Sequence, residues 1–513
     1  MVWRKDDPTG NESGKILWEL VPYTRGRGLD LGCGPDKAFP HFIGVDNYKA
    51  AHQFGINMKP DVPSDITRLD LFASASMDFV YSSHALEHIQ DYKSALKEWW
   101  RVVRPGGHLC LYLPHKEFYP NIGTEGANPD HCHDFMPQDI VDAMLEIGAW
   151  DLLRNEDRNE NREYSFLQVY RKRTDGKHLY SHKAPKPEKR AAVVRYGAFG
   201  DAIQASSILP GLKAQGYHVT FYTNPRSQEV LLHDPHIDAF YVQDTDQVPN
   251  QALPDFWAWE KDKYDKWINL SESVEGALLA LPGRSNHAWP HDMRHKYLNR
   301  NYLEFTHDLA EVPHNFAQKF YATDEEKAWA RKERQRIGGD FLIMYSLAGS
   351  SVHKVWPWMD HLFARILVTM KDARIITVGD DGSRLLEQGW EQEPRVIRKA
   401  GQYTIRQSMA LLDQCDMVIG PETGMLNAAG HMDMPKIVFL SHSSEDNLTK
   451  HWTNTFALEP ANTDCYPCHL LHYGFEHCHR DEALGVAKCQ TGISLERAWI
   501  AFDILMNSTK KAA

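Results

Sequence analysis

Two glycine-rich loops, each closing a short strand-like run, constrain this chain more than any other feature. The first is Leu29-Asp30-Leu31-Gly32-Cys33-Gly34, and the second is Arg195-Tyr196-Gly197-Ala198-Phe199-Gly200-Asp201. Glycine at a strand end lets the backbone approach a ligand closely, and a helix that follows presents unpaired N–H groups. Each loop has its own acidic partner, and the surroundings differ. Two loops of this kind point to two nucleotide-type sites. A chain of 513 residues exceeds one hydrophobic core, so two or three domains are expected.

From about residue 26 the sequence alternates strand and helix patterns. Arg27–Leu31, Phe42–Val45, Met77–Tyr81 and His108–Leu113 read as strands. Tyr92–Val103 has helical apolar spacing at Ala95, Trp99 and Val102, and Arg104-Pro105-Gly106-Gly107 reads as the stop and turn after it. The rhythm predicts an α/β fold with a parallel, doubly wound sheet over residues 1–170. Residues 171–190, polar, basic and carrying Pro185 and Pro187, read as a linker. Alternation resumes at Ala191–Arg195, and a second wave opens with Phe341–Tyr345 after a charged helical stretch at 320–340. Two tandem Rossmann-like halves are expected, 191–335 and 336–513, with ligands in the cleft between them.

In the first domain, Gly44-Val45-Asp46-Asn47 follows the loop at the end of the next strand, where a carboxylate can accept hydrogen bonds from ribose hydroxyls. Further on come Asp65-Ile66, then Met77-Asp78-Phe79-Val80-Tyr81-Ser82-Ser83-His84-Ala85-Leu86-Glu87-His88, then Arg101-Val102-Val103-Arg104-Pro105-Gly106-Gly107. With these residues in this order, the stretch 26–150 resembles a class I S-adenosylmethionine-dependent methyltransferase. The resemblance implies that Asp30, Gly32 and Gly34 hold the methionine part of the cofactor, Asp46 its ribose, and Asp65 with Ile66 its adenine. The glycines lack the G-x-G-x-x-G spacing of a dinucleotide-binding domain. Histidine supplies a base near neutral pH, and His84, His88 and His115 fall near predicted strand ends on the ligand side. His131-Cys132-His133-Asp134 reads as a local hydrogen-bonded turn, since two close histidines alone do not complete a tetrahedral metal set. The signature of base-amino methyltransferases is absent, which leaves an oxygen or carbon of a small molecule or sugar as the expected acceptor.

Residues 191–507 carry a second set of motifs. Arg195 and Gly200-Asp201-Ala202-Ile203 open it, and Tyr264–Leu270 lies in its middle. Leu347-Ala348-Gly349-Ser350-Ser351 with Lys354-Val355-Trp356-Pro357 comes next, and Gly420-Pro421-Glu422-Thr423-Gly424-Met425-Leu426-Asn427 last. This run resembles the heptosyltransferase-like glycosyltransferases of family 9, which have the GT-B fold. The resemblance implies an inverting transfer from a nucleoside-diphosphate sugar, with Asp201 as the base. Ser350, Lys354, Glu422, Thr423, Gly424 and Asn427 would form the donor site. The chemistry suits those residue types: a carboxylate takes the acceptor proton, and a lysine with backbone N–H groups offsets charge on the leaving diphosphate. The competing structural role for Asp201 is a helix N-cap. Two departures from the family stand beside the expected sugar, Glu422 in place of Asp and Asn427 in place of His, and they leave the donor sugar open.

Near the end, Cys465, Cys468, Cys478 and Cys489 form a C-x2-C-x9-C-x10-C series that suits a structural Zn2+ site. The alternative is reduced, partly buried thiols. Eight cysteines in a chain this long do not resemble a disulfide scaffold, Met1–Asp7 lacks a signal-peptide apolar region, and the cytoplasm is the expected compartment. No apolar run approaches the roughly 20 residues of a membrane span; peripheral membrane contact stays open. The leading expectation is a bifunctional transferase of surface-glycan or lipopolysaccharide-type synthesis, acting on a small-molecule or glycan acceptor. A second reading places a modified nucleobase in DNA as acceptor; the net charge of −12 gives it no support and the basic stretch 171–190 is its one favourable feature. A third is a non-catalytic nucleotide-binding module.

Overall fold

The computed structural model describes residues 12–47, 58–181 and 187–512; Met1–Asp7 and Pro185 lie outside them. The chain divides into two units, Met1–Pro187 with Val242–Lys263, and Glu188–Tyr241 with Tyr264–Ala513.

The first unit is built on one sheet of β1 (Gly28–Leu31), β2 (Ile43–Asp46), β3 (Val62–Pro63), β4 (Met77–Ser83), β5 (Val103–Pro114), β6 (Trp150–Arg158), β7 (Ser165–Lys172) and β8 (His178–Tyr180). The strand order is β3-β2-β1-β4-β5-β7-β6-β8. Strands β1 to β5 pair in parallel, and β7 runs antiparallel between β5 and β6. The direction of winding reverses between β1 and β4, and the carboxyl ends of these strands form the crevice where such sheets bind ligands. β1 is buried along its whole length, as a strand covered on both faces must be.

Helix α1 (Tyr92–Val102) explains its own spacing. Asp91 caps it by accepting the Ser94 N–H at 3.1 Å, and Ala95, Leu96, Trp99, Trp100 and Val102 fall on the buried side. The fully buried Trp99 also donates its indole N–H to the Ile66 carbonyl at 2.7 Å, which fixes the Asp65-Ile66 loop to the helix. Burial of such a ring contributes on the order of 2–3 kcal/mol. The stretch expected to turn after α1 is instead the irregular start of β5. Pairing steps from Met77↔Val103 to Phe79↔His108, so Arg104–Gly107 bulge out, with Gly106 left-handed at φ +77°.

The expected linker is also corrected at its start. Arg171 and Lys172 end β7, and His178–Tyr180 form β8 beside β6. Arg171 pairs with Asp151, Arg173 pairs with both Asp151 and Asp175, and Lys172 donates to the Trp100 and Val103 carbonyls, so the first three cations of the run are held by neighbouring groups of the first unit. A further difference is Val242–Lys263, expected with the following half, which belongs to the first unit. Its Phe256 is fully buried against Trp18, Gln247 donates to the Val21 carbonyl at 2.7 Å, and Asp244 accepts the Gly26 N–H at 2.7 Å.

The second unit holds two sheets. β9 (Arg190–Val194), β10 (His218–Thr223), β11 (Ala239–Val242) and β12 (Lys266–Asn269) are ordered β11-β10-β9-β12. β13 (Phe341–Ser346), β14 (Ala373–Val378), β15 (Val396–Arg398), β16 (Met417–Pro421), β17 (Lys436–Phe439) and β18 (Thr455–Leu458) are ordered β15-β14-β13-β16-β17-β18. The second sheet is parallel throughout, and β9 pairs in parallel with β10 and β12. Helix α2 (Phe199–Ser206) follows β9, and helix α3 (Gly424–Ala429) follows β16. They meet backbone to backbone: a Cβ on Gly200 would stand 2.6 Å from the Gly424 Cα, and one on Gly424 would stand 2.1 Å from the Phe199 ring. One buried cluster, running from Val193 and Ile203 to Met425 and Val438, spans both halves. Helix Asp324–Ile337 lies within the charged stretch expected between them and runs across the expected boundary at 335/336. Among the described residues no helix is long and apolar enough to cross a membrane.

Candidate functional site

In the first unit the glycine loop closes as its residues dictate. Gly32 and Gly34 are left-handed, at φ +75° and +59°, a region that penalises a side chain. A Cβ on Gly32 would collide with the Ala85 methyl at 2.5 Å, whereas Gly34 has nothing within 4 Å. Asp30 is buried, and its Oδ2 accepts the Ala38 N–H at 2.8 Å. Burial pushes its carboxyl up to about 7; Asp46 adds to this, while the Ala38 N–H and Lys37 oppose it. Asp46 accepts the Gly34 N–H at 2.8 Å, and burial raises its carboxyl as well. The two acidic residues, the loop and the open side of Gly34 therefore converge at the switch point. Asp65 is exposed, its Oδ1 accepting the Thr67 N–H and hydroxyl, both at 2.8 Å.

The histidines divide. His84, just beyond β4, is left-handed at φ +48° with its Nε2 at 2.9 Å from the Ser165 hydroxyl. Burial first, then Lys15, His131 and His88, lower its pKa to about 3, so its ring is neutral at physiological pH and a weak base. His115 is stacked on Phe118 and turned toward Asp157 at 3.6 Å. His131, set aside in the sequence as part of a turn, lies beside Glu87 and His88.

In the second unit Asp201, Lys354, Glu422 and Asn427 line one pocket together with Arg195, Tyr302 and His442. Asp201 sits at the third position of α2 rather than at its N-cap, accepting the Ala198 N–H at 3.2 Å. Arg195, buried, stands 3.4 Å from Asp201 and 3.0 Å from Glu275. The Asp201 carboxylate is therefore positioned by a helix end and a guanidinium while a third of its side chain stays exposed. Glu422, at the end of β16, is buried. Its Oε1 accepts the Ser441 N–H at 2.6 Å, and its Oε2 lies 2.5 Å from His442 Nδ1. Burial alone would raise this carboxyl; His442, Lys354 and the Ser441 N–H outweigh it and hold it below the usual range.

Thr423 and Gly424, expected to offer backbone N–H groups, stand at the start of α3. Thr423 turns its hydroxyl to Ser346 at 2.9 Å, Gly424 is spent on the contact with α2, and Ser350 does not line the pocket. The sequence reading missed Glu275, Tyr302 and His442, and gave Arg195 no role. His442 had a readable signal, since it follows strand β17 as Glu422 follows β16. Glu275 and Tyr302 had none.

The four late cysteines are free thiols, and Cys465, Cys468 and Cys478 all add to the upward push that burial gives the Cys489 thiol. Burial raises the Cys468 thiol to about 12, with Cys465 and Cys478 adding to the shift, and raises Cys478 to about 11, with Cys465 adding. His472 Nε2 is 3.9 Å from the Cys468 sulfur. Among the described residues, the group that brings three ligand atoms within 4.8 Å of one another is Glu87, His88 and His131 rather than the cysteines.

Comparison with known proteins agrees with the first domain. Residues 29–111 match the family model described as a methyltransferase domain, so the chain carries such a domain. Over 147 residues it is 25% identical to a malonyl-[acyl-carrier protein] O-methyltransferase of Salmonella typhimurium, covering 25% of this chain and 55% of that protein. The chain spans about half the length of the curated relatives it matches. Among solved structures it is similar to a family 9 glycosyl transferase from Veillonella parvula, at 16% identity over 64% of this chain and 100% of that one, with a TM-score of 0.48. It is also similar to the E. coli ADP-heptose lps heptosyltransferase II, at 14% identity over 63% of this chain and 99% of that one, with a TM-score of 0.44.

Proposed function

We propose that the chain is a bifunctional enzyme, an S-adenosylmethionine-dependent methyltransferase joined to a glycosyltransferase that uses a nucleoside-diphosphate sugar. The observation that carries the second activity is the single pocket shared by Asp201, Lys354 and Glu422. Asp201 takes the proton of an acceptor hydroxyl as that oxygen attacks the anomeric carbon, and Arg195, 3.4 Å away, aims the carboxylate. Lys354 offsets the charge that develops on the departing diphosphate. Glu422, held by His442 and the Ser441 N–H, presents a fixed negative edge to the sugar hydroxyls.

In the first unit, Asp30, Gly32, Gly34 and Asp46 fit the cofactor: the space beside Gly34 is open and two carboxylates flank it. Asp30 would take its ammonium, Asp46 its ribose hydroxyls, and Asp65 with Ile66 its adenine. The bound cofactor supplies an electrophilic methyl group. The acceptor we favour is a glycan or its small-molecule precursor, in surface-glycan synthesis. Of the basic stretch that favoured DNA, Arg171 and Arg173 are taken up by Asp151 and Asp175, which weakens that reading. A Zn2+ ion held by Cys465, Cys468, Cys478 and Cys489 remains part of the proposal.

A mass-spectrometric screen of nucleotide sugars for release of nucleoside diphosphate tests the second activity, with donor turnover expected for one sugar class. Silence across the panel, from protein that still binds S-adenosylmethionine, would remove the glycosyltransferase and leave the methyltransferase.

A further inference from the structure

Beyond the end of β4 the chain makes one tight turn, Leu86–His88, and this turn carries a fully buried carboxylate. Neither oxygen of Glu87 has a hydrogen-bond partner from another residue. A buried ion is normally matched by a donor or a cation, because desolvation is otherwise uncompensated. What surrounds Glu87 is a ring of imidazole nitrogens. His88 Nε2 stands 3.8 Å from its Oε1, and His131 Nε2 and His84 Nδ1 each stand 3.9 Å from the same oxygen. These separations are too long for hydrogen bonds. They suit ligands around a shared ion: with arms of about 2.1 Å, neighbouring ligand atoms lie roughly 3.4 Å apart.

The second layer prepares the nitrogens for that purpose. His88 Nδ1 lies 3.1 Å from the Asp130 carbonyl oxygen, which can only accept, so the proton sits on Nδ1 and the lone pair on Nε2 faces Glu87. The loop bearing His131 is tied to the turn by its backbone, the Cys132 N–H donating to the Glu87 carbonyl at 2.8 Å. Tyr119 packs on the His131 ring at 5.3 Å between centroids.

We propose that Glu87, His88 and His131 form a site for a divalent transition-metal cation, with His84 beside it as a further nitrogen. One carboxylate and two imidazoles are a donor set for Mn2+, Fe2+ or Zn2+, and three protein ligands leave coordination positions open. The turn abuts the glycine loop, since the Ala85 methyl fills the space a Cβ on Gly32 would need. The ion therefore sits at the end of the methyl-transfer crevice. Its open positions would take an oxygen of the acceptor, favouring acceptors with adjacent hydroxyl or carboxylate groups. That last step rests on the methyltransferase reading; the metal site does not.

Mn2+ is the probe of choice, because thiolates bind it poorly and the cysteine loop then does not interfere. Full-length protein stripped with chelator is titrated with Mn2+, and the free ion is followed by electron paramagnetic resonance. One saturable site per chain is expected. Glu87→Gln and His131→Ala should each weaken it at least about tenfold, while His133→Ala, a neighbour outside the set, leaves it unchanged. Circular dichroism confirms that each variant folds, and calorimetry with S-adenosylmethionine shows separately whether the methyltransferase reading stands. No saturable Mn2+ binding by folded wild-type protein, or equal binding by a folded His131→Ala, overturns the site.

Discussion

Asp201 is placed by two local forces, a helix end and the Arg195 guanidinium, and neither removes it from solvent. Asp201→Asn keeps the shape and the helix contact but cannot accept a proton. Glycosyl transfer should fall by about 100- to 10,000-fold with donor affinity nearly unchanged. Lys354→Ala should instead weaken donor binding as well as turnover. Steady-state kinetics with nucleotide-release detection separates the two patterns, and a full rate for Asp201→Asn would reduce the carboxylate to a structural role. Asp30 offers a pH test. Its carboxyl is raised to about 7, and its partner would be the ammonium of the cofactor, which prefers the ionised form. Acidification protonates the carboxylate, so the Kd should rise by up to about tenfold per pH unit below 7 and level off above it. The same shift makes the folded state prefer the protonated group, so Asp30 by itself destabilises the fold as pH rises toward 7. Calorimetric titration from pH 5.5 to 8.5 reads the binding effect, and an Asp30→Asn variant should lose the slope.

At the scale of elements, the α2–α3 contact is a matter of missing side chains. Gly200 and Gly424 have ordinary backbone angles for their places, and their role is closeness rather than left-handed freedom. Gly424→Ala should cost roughly 1–3 kcal/mol through overpacking against Phe199 and should perturb the pocket lined by Asp201 and Asn427. Denaturant unfolding measures the cost, and an unchanged midpoint would show that Phe199 can move aside. The cysteine loop gives a second test at this scale. If it holds zinc, purified protein should carry about one Zn2+ at that loop, lost with stability on Cys468→Ser. Elemental analysis showing no zinc in active wild-type protein would leave the thiols as packing groups. The strands and α1 were legible because period and capping are local properties. The bulge at Arg104–Gly107 was not, since a proline-glycine turn and a wide bulge share one composition, and the partner strand β4 decides between them.

On the scale of the whole molecule, Val242–Lys263 is the instructive segment. It is surrounded in sequence by the second unit, yet it packs with the first through Phe256, Gln247 and Asp244. A fragment ending at residue 187 loses that packing. It should melt at least about 2 °C below the corresponding transition of the full chain, since burial of one large apolar side chain is worth more than about 1 kcal/mol. Scanning calorimetry checks this, and equal melting temperatures would mean the segment contributes nothing to the first unit. The sequence by itself determined the two glycine loops, the α/β character of both units with its parallel strands, though not the antiparallel β7, and the acidic residues at the strand ends, because strand–turn–helix chemistry is written in neighbouring residues. Only the tertiary structure decided that Arg171 and Arg173 pair with Asp151, that His442 backs Glu422, and that His131 faces Glu87 across a loop. Those pairings join residues far apart in the chain. Sheet order and loop closure bring them within a few ångströms, and no local pattern encodes a distance of that kind.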